Sequence, residues 1–456
     1  MASILSINPI NNEQLESYEP SDSKFIEKAL LRSTKSFQSW RSVSFRERAQ
    51  VLKKVAAQIR DEAPGLALMA TLEMGKPIQQ SFDELAKCAR TFDYYAKEGA
   101  KMLANEIIET DARKSYVSYQ PLGTVLAVMP WNFPYWQVFR CAAPILMAGN
   151  TMILKHASNV SGCALAIDSL FKNAGVPDGL FQTLLLPSSE VEALISHPAI
   201  NAVTFTGSTV AGSKVAEAAG RAIKKQVLEL GGSDAYVILE DADLDLAVKT
   251  CVDSRLNNSG QSCVSAKRFI VVKSIRKEFE KRMTLAMSAA TWGDPLDNGN
   301  RIGPLARIDL RDKLHEQVQK SLELGAKLLC GGTIPEGPGA FYPPTVITNV
   351  LKGMPAYEEE LFGPVAAIIE AKNEKDAMLK ANDSIYGLGA AIFSKDRKRA
   401  EILAAKELQA GNCFVNSAVH SDPCLPFGGA KQSGYGRELG SFGIREFTNI
   451  KTVFIQ

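Results

Sequence analysis

Up to about residue 100, apolar positions recur at helical spacing. Ala49, Leu52, Val55, Ala56 and Ile59 fall on one face and predict a helix over 44–63. A first helix is expected over 25–40, with Ser21 or Asp22 as its N-cap. Leu85, Cys88, Ala89, Phe92, Tyr95 and Ala96 stripe another over 82–100, read as a core-facing side. After residue 121 the pattern changes. Short apolar runs at 122–129, 151–154, 184–186 and 202–205 alternate with helical stretches at 139–147, 162–174, 191–195 and 210–222. Short, wholly apolar runs suit strands buried on both faces of a parallel sheet. The alternation predicts a doubly wound α/β domain of the nucleotide-binding type. A second alternating block starts at Tyr236 and continues to Val415. Residues 103–121 and the tail 441–456 read instead as partly polar hairpin or edge strands, and the tail suits pairing with another chain's edge.

Composition narrows the class. The 456 residues are 46% hydrophobic with 33 glycines, as expected of two or three compact α/β domains. Lys plus Arg is 52 against 50 for Asp plus Glu, scattered along the chain, which argues against nucleic-acid binding. The eight Cys form no CxxC pair, and four His offer no ligand spacing, so no metal site and a reduced, cytoplasmic setting are expected. No apolar run reaches membrane-spanning length, and the N-terminal residues lack signal-peptide character.

The chemistry concentrates between Val227 and Cys263. Val227-Leu228-Glu229-Leu230-Gly231-Gly232 reads as a buried strand ending in a sharp turn, and Gly260-Gln261-Ser262-Cys263 sets a thiol just after a glycine. Taken alone, Glu229 reads equally as a turn carboxylate and Cys263 as a small core residue. Together they suggest a base and a nucleophile. With Pro130-Trp131-Asn132-Phe133-Pro134, Phe205-Thr206-Gly207-Ser208 and Glu360-Leu361-Phe362-Gly363-Pro364, in this order, the chain resembles the aldehyde dehydrogenase superfamily over essentially its whole length. It looks most like the bacterial succinate-semialdehyde dehydrogenases.

The resemblance implies an α/β fold with a nucleotide-binding domain (1–102 and 122–229), an α/β catalytic domain (230–440) and a β oligomerisation element (103–121 and 441–456). It implies that Cys263 forms a thiohemiacetal with an aldehyde. Loss of hydride leaves a thioester, and Glu229 activates the water that cleaves it. Glu229 also favours water over coenzyme A as acyl acceptor. Asn132 and the Cys263 backbone N–H match the family's oxyanion donors. Ser265 stands where some relatives carry a second Cys, so a disulfide at that position is not available.

For the cofactor, Trp131, Lys155, Gly207, Ser208, Leu230, Glu360 and Phe362 match positions along the family's nucleotide cleft. Many NAD-preferring relatives place Glu three residues after the lysine, gripping the ribose hydroxyls. Here Ser158 stands there, beside Lys155, and favours NADP, with NAD at lower preference. His156 reads either as an assistant or as a helix-facing His, and Ser158 alternatively as a helix cap. For the substrate, Arg140 replaces an aromatic of the family and sits between Phe139 and Cys141. A charge there needs a partner. A substrate carboxylate is the expected one and a protein acid the alternative; Trp136, Ser262 and His420 are expected to complete that pocket. The motif Lys431-Gln432-Ser433-Gly434-Tyr435-Gly436-Arg437-Glu438 is read as scaffolding.

The expected activity is NADP-preferring oxidation of succinate semialdehyde by a homo-oligomer, dimer or tetramer. Glutarate semialdehyde, broad aliphatic specificity and a non-catalytic protein on this scaffold are the alternatives.

Overall fold

The computed structural model describes residues 3–456. Two parallel-based sheets organise it. The first has six strands in the spatial order Gly434–Tyr435, Lys225–Glu229, Ile200–Thr206, Thr124–Met129, Thr151–His156 and Phe181–Leu184. The Thr124 strand is buried at every position, which its unbroken apolar run requires. Chain order runs outward from it on one side through residues 151 and 181, and on the other through 200 and 225. The reversal makes the carboxyl ends of the Thr124 and Ile200 strands a topological switch point, where open α/β sheets leave a crevice.

The second sheet has seven strands. Its central strand is Arg268–Val272, flanked in parallel by Val365–Ala371 and Ala235–Ile238, the latter followed by Gly389–Phe393. Asn412–Val415 forms one edge and Lys327–Cys330 the other. The two sheets are joined through the turn at Leu230–Asp234. The Gly434 strand, although late in the chain, pairs antiparallel with Lys225–Glu229, so the end of the 230–440 segment reaches back into the first sheet.

Segments 103–121 and 441–456 meet in a separate three-stranded sheet, ordered Thr448–Ile455, Lys114–Pro121, Glu106–Ile107. The tail therefore pairs with its own chain along one edge, and no strand of the described residues pairs with its other edge.

Helices fall close to the expected positions. Asp22, not Ser21, caps the first (Ser23–Trp40), accepting from Phe25 N–H. Ser44 and Glu47 form a capping box at the second, Phe45–Asp61. The long helix Ile78–Met102 packs its apolar stripe against the helix Trp136–Met147. The latter begins a turn earlier than its apolar run suggests. Its first turn is capped by the Glu84 carboxylate, which accepts from the backbone N–H of both Tyr135 and Trp136. A buried Lys76 pairs with the same carboxylate, and its Nζ sits 3.9 Å from the centre of the Phe133 ring. Two distant residues thus fix the loop that carries Asn132.

Candidate active site

A cavity of about 360 Å³ opens at the switch point. Trp131, Asn132, Gly207, Ser208, Leu230, Cys263, Glu360 and Phe362, all singled out from sequence, line it. Trp131 and Phe362 meet edge to face, their centroids 5.7 Å apart, and form an aromatic clamp across it. Gln137, Lys313, Gln317, Glu359 and Tyr386 also line it and carried no sequence signal of their own.

Cys263 is delivered by a strained approach. Leu244–Leu256 ends in a short turn where Asn258 and Ser259 take left-handed φ values of 52° and 53°. Gly260 follows at φ 75°, and a Cβ there would lie 2.3 Å from the Gly363 backbone, so only glycine fits. Non-glycine residues held in this conformation cost energy that the surroundings must supply. Asn258 Nδ2 does so by donating to the carbonyls of Asn132 and Gln261. Asn132 Nδ2 donates to Gln261 O at 3.0 Å, so the oxyanion candidate and the thiol loop are tied together, with its second N–H left over. Lys267, not anticipated, donates to the carbonyls of Ser262, Cys263 and Ser265 and stands 3.4 Å from Glu360. It pins the nucleophile loop to the carboxylate on the cofactor side. Burial pushes the Cys263 thiol up to about 11, with Arg140 and Lys267 pulling the other way, so the nucleophile needs a base.

Glu229 ends its strand next to the cavity-lining Leu230 and Gly231. It is buried, and neither carboxylate oxygen has a hydrogen-bond partner among the described residues. Burial, then the neighbouring Glu438, pushes its carboxyl well above the usual range. Gly428 lets the backbone approach it: a Cβ there would lie 2.8 Å from Oε1. An unpartnered, readily protonated carboxylate in this position is suited to accept a proton from water.

On the nucleotide side, Lys155 is buried within its strand and has no ion-pair or hydrogen-bond partner among the described residues. Ser158 is exposed at the start of the following turn and caps nothing. Ser208 is the N-cap of Thr209–Arg221, accepting from Ala211 N–H, which leaves its hydroxyl proton to give. The helix N-terminus that Ser208 caps on the cavity wall, with the unpaired buried ammonium of Lys155 in the same sheet, fits a dinucleotide's phosphates. The idea that His156 assists is corrected. Its Nε2 bonds the Pro134 carbonyl and its Nδ1 accepts from Ala157 N–H, and burial lowers it to about 4. It is a neutral structural residue.

The substrate expectations are met less simply. Arg140 is buried, but its guanidinium pairs with Glu438 and donates to Thr206 Oγ1. The premise that its charge requires a substrate carboxylate is therefore corrected: the protein supplies an acid. Nε meets Glu438 as an ion pair, Nη2 serves Thr206, and Nη1 has neither kind of partner among the described residues. Glu438, read as scaffolding, turns out to hold both Arg140 and the environment of Glu229. Trp136 is buried on the same helix face one turn before Arg140. Ser262 is buried and does not line the cavity, and His420 is exposed, its ring 5.0 Å from that of Phe414.

Residues 2–453 match the aldehyde dehydrogenase family. The chain is 47% identical over 450 residues to the succinate semialdehyde dehydrogenase [NAD(P)+] Sad of Escherichia coli (strain K12), covering 99% of this chain and 97% of that protein. It is 46% identical to a probable succinate-semialdehyde dehydrogenase [NADP(+)] of Synechocystis sp., covering 99% of each. Among solved structures it superposes on the succinic semialdehyde dehydrogenase from Streptococcus pyogenes in complex with NADP+, at TM-score 0.97 and 38% identity over 99% of each chain. The switch-point cavity, its thiol and carboxylate, and these matches together place the chain in the aldehyde dehydrogenase family.

Proposed function

We propose that this protein oxidises succinate semialdehyde to succinate, with NADP preferred over NAD. The observation that carries the reaction type is Cys263, held in a strained loop on the cavity wall, together with the unpartnered carboxylate of Glu229, whose neighbours Leu230 and Gly231 line the same cavity. The Cys263 thiol gives its proton to solvent, its sulfur bonds to the aldehyde carbon as the carbonyl π bond opens, and the carbonyl oxygen gains the charge. Asn132 Nδ2 and the Cys263 backbone N–H stabilise that oxygen, a contribution of about 2.7–4 kcal/mol per donor in hydrolases. Bound NADP supplies the acceptor for the hydride that leaves this carbon. Glu229 then takes a proton from water as its oxygen attacks the thioester, and the carbon–sulfur bond breaks to return the Cys263 thiolate.

The cofactor preference is supported by Lys155, a buried cation without a partner among the described residues, and by Ser158, an exposed hydroxyl that brings no charge to repel a 2'-phosphate. The substrate is supported by the relatives' activity and by Arg140, whose Nη1 remains able to donate. The free edge of Thr448–Ile455, with Ile450 and Phe454 exposed, supports a homo-oligomer joined through this strand. No described helix is long and apolar enough to cross a membrane, in keeping with a cytoplasmic enzyme.

The test is kcat/KM with NADP and NAD, each against succinate semialdehyde and butanal. A preference for the semialdehyde above about tenfold, roughly 1.4 kcal/mol, is expected, with NADP the better cofactor. Equal rates on the two aldehydes would overturn the substrate, and an NAD preference would overturn the cofactor.

A further inference from the structure

Between the helix Ile78–Met102 and the loop after residue 420 lies a cation that the reaction above leaves unused. Lys87 Nζ lies 4.1 Å from the centre of the Trp136 ring and 2.7 Å from Ser421 Oγ. Among the described residues that hydroxyl is its only hydrogen-bond acceptor, and no carboxylate lies within ion-pair distance. A lysine on a surface helix ordinarily extends its head to water. Here the head is turned inward, over an indole and against a hydroxyl, with donors to spare.

Its surroundings are short of negative charge. Arg140, one turn beyond Trp136 on the same helix face, is a second cation, and its one acidic partner is the buried Glu438. Arg90 adds a third positive group, while Asp422 and the Cys88 thiol are the nearby acidic ones. Burial and then the charge of Arg140 lower the Lys87 ammonium to about 8. Arg140 acts electrostatically on Cys263 as well, so the lysine and the thiol both feel its charge.

We propose that Lys87 receives the distal carboxylate of the substrate, with Ser421 orienting the ammonium and Trp136 forming the floor beneath it. This deepens the acidic-semialdehyde reading above and rests on it. A carboxylate seated there would face Lys87 and Arg140 Nη1 together, adding the negative charge that the cluster lacks.

The test compares wild type, Lys87→Met and Lys87→Arg by two readouts. The first is kcat/KM with NADP for succinate semialdehyde and for butanal. The second is protection of Cys263 from iodoacetamide by succinate. Lys87→Met should lower kcat/KM for the semialdehyde about tenfold relative to butanal, and raise the half-protecting succinate concentration by a similar factor. Lys87→Arg, which keeps the charge, should restore most of both. Equal losses on the two aldehydes, or unchanged protection by succinate, would overturn the proposal and leave Lys87 a packing residue. If wild type turned over both aldehydes alike while succinate protection still required Lys87, the substrate assignment would fail and the carboxylate site would stand.

Discussion

Replacing Glu229 by Gln separates the two halves of the reaction. The side chains have nearly the same shape, and neither Glu229 oxygen accepts a hydrogen bond from a described residue, so the swap breaks no contact. What it removes is the proton acceptor. General-base catalysis contributes about 10²–10⁴-fold, so the deacylation barrier should rise by roughly 2.7–5.4 kcal/mol. The thiohemiacetal and hydride steps precede the water and should be slowed far less. Rapid mixing with NADP and succinate semialdehyde should therefore give a stoichiometric burst of NADPH followed by a slow steady state. Intact-mass analysis should find an acyl group on Cys263. Stability supplies a second reading. The Glu229 carboxyl is raised above its ordinary 4.5, by burial and then by Glu438, so the folded state holds this proton more tightly than the unfolded chain. The stability it contributes is complete below the unfolded pKa and is lost as pH rises toward the folded value. Glu229→Gln has no such loss, and its stability relative to wild type should improve as pH rises from about 4.5. Absence of a burst with equally slowed first and later turnovers, or wild-type deacylation, would refute Glu229 as the base.

Other outcomes follow from the same geometry. Arg140→Met strands the buried Glu438 and should cost about 3–5 kcal/mol in denaturant unfolding, while Arg140→Met with Glu438→Gln should recover a large part; an unchanged midpoint in the single variant would contradict the pairing. Ser158→Glu should shift the NADP-to-NAD ratio of kcat/KM toward NAD by at least about tenfold, and an unaltered ratio would show that this position does not read the 2'-phosphate. Gly428→Ala puts a methyl group 2.8 Å from Glu229 Oε1 and 2.9 Å from both Arg437 Cδ and Gly436 O, so the carboxylate and the loop beside it must shift. Steady-state turnover should fall while the NADPH burst persists, and full activity would mean that the carboxylate has room to spare.

Much of the architecture was legible in the residues. Strands buried on both faces must be apolar throughout, so the runs around Thr124, Thr151 and Ile200 announced a parallel sheet, and strand ends such as Glu229 and Gly207 marked where a crevice would open. Cys263 and Asn132 stood in motifs whose glycines and prolines demand particular turns, and Gly260 shows why, since no side chain fits against Gly363. Local backbone requirements are written in consecutive residues and can be read there. Partnerships are not. Arg140 was seen to need an acid, yet nothing near it in the chain pointed to Glu438, which reaches it only because the Gly434 strand folds back onto the first sheet. His156 and Lys155 are neighbours in one strand, yet one bonds the Pro134 carbonyl and the other is left unpaired. Lys87 lies off the apolar stripe of its helix, and nothing along the chain joins it to Ser421, which its ammonium meets in the fold. The sequence alone determined which residues could do chemistry and what each would require. Only the tertiary structure decided which requirement was met by which partner, because the energy of a buried charge depends on atoms brought close by topology rather than by order along the chain.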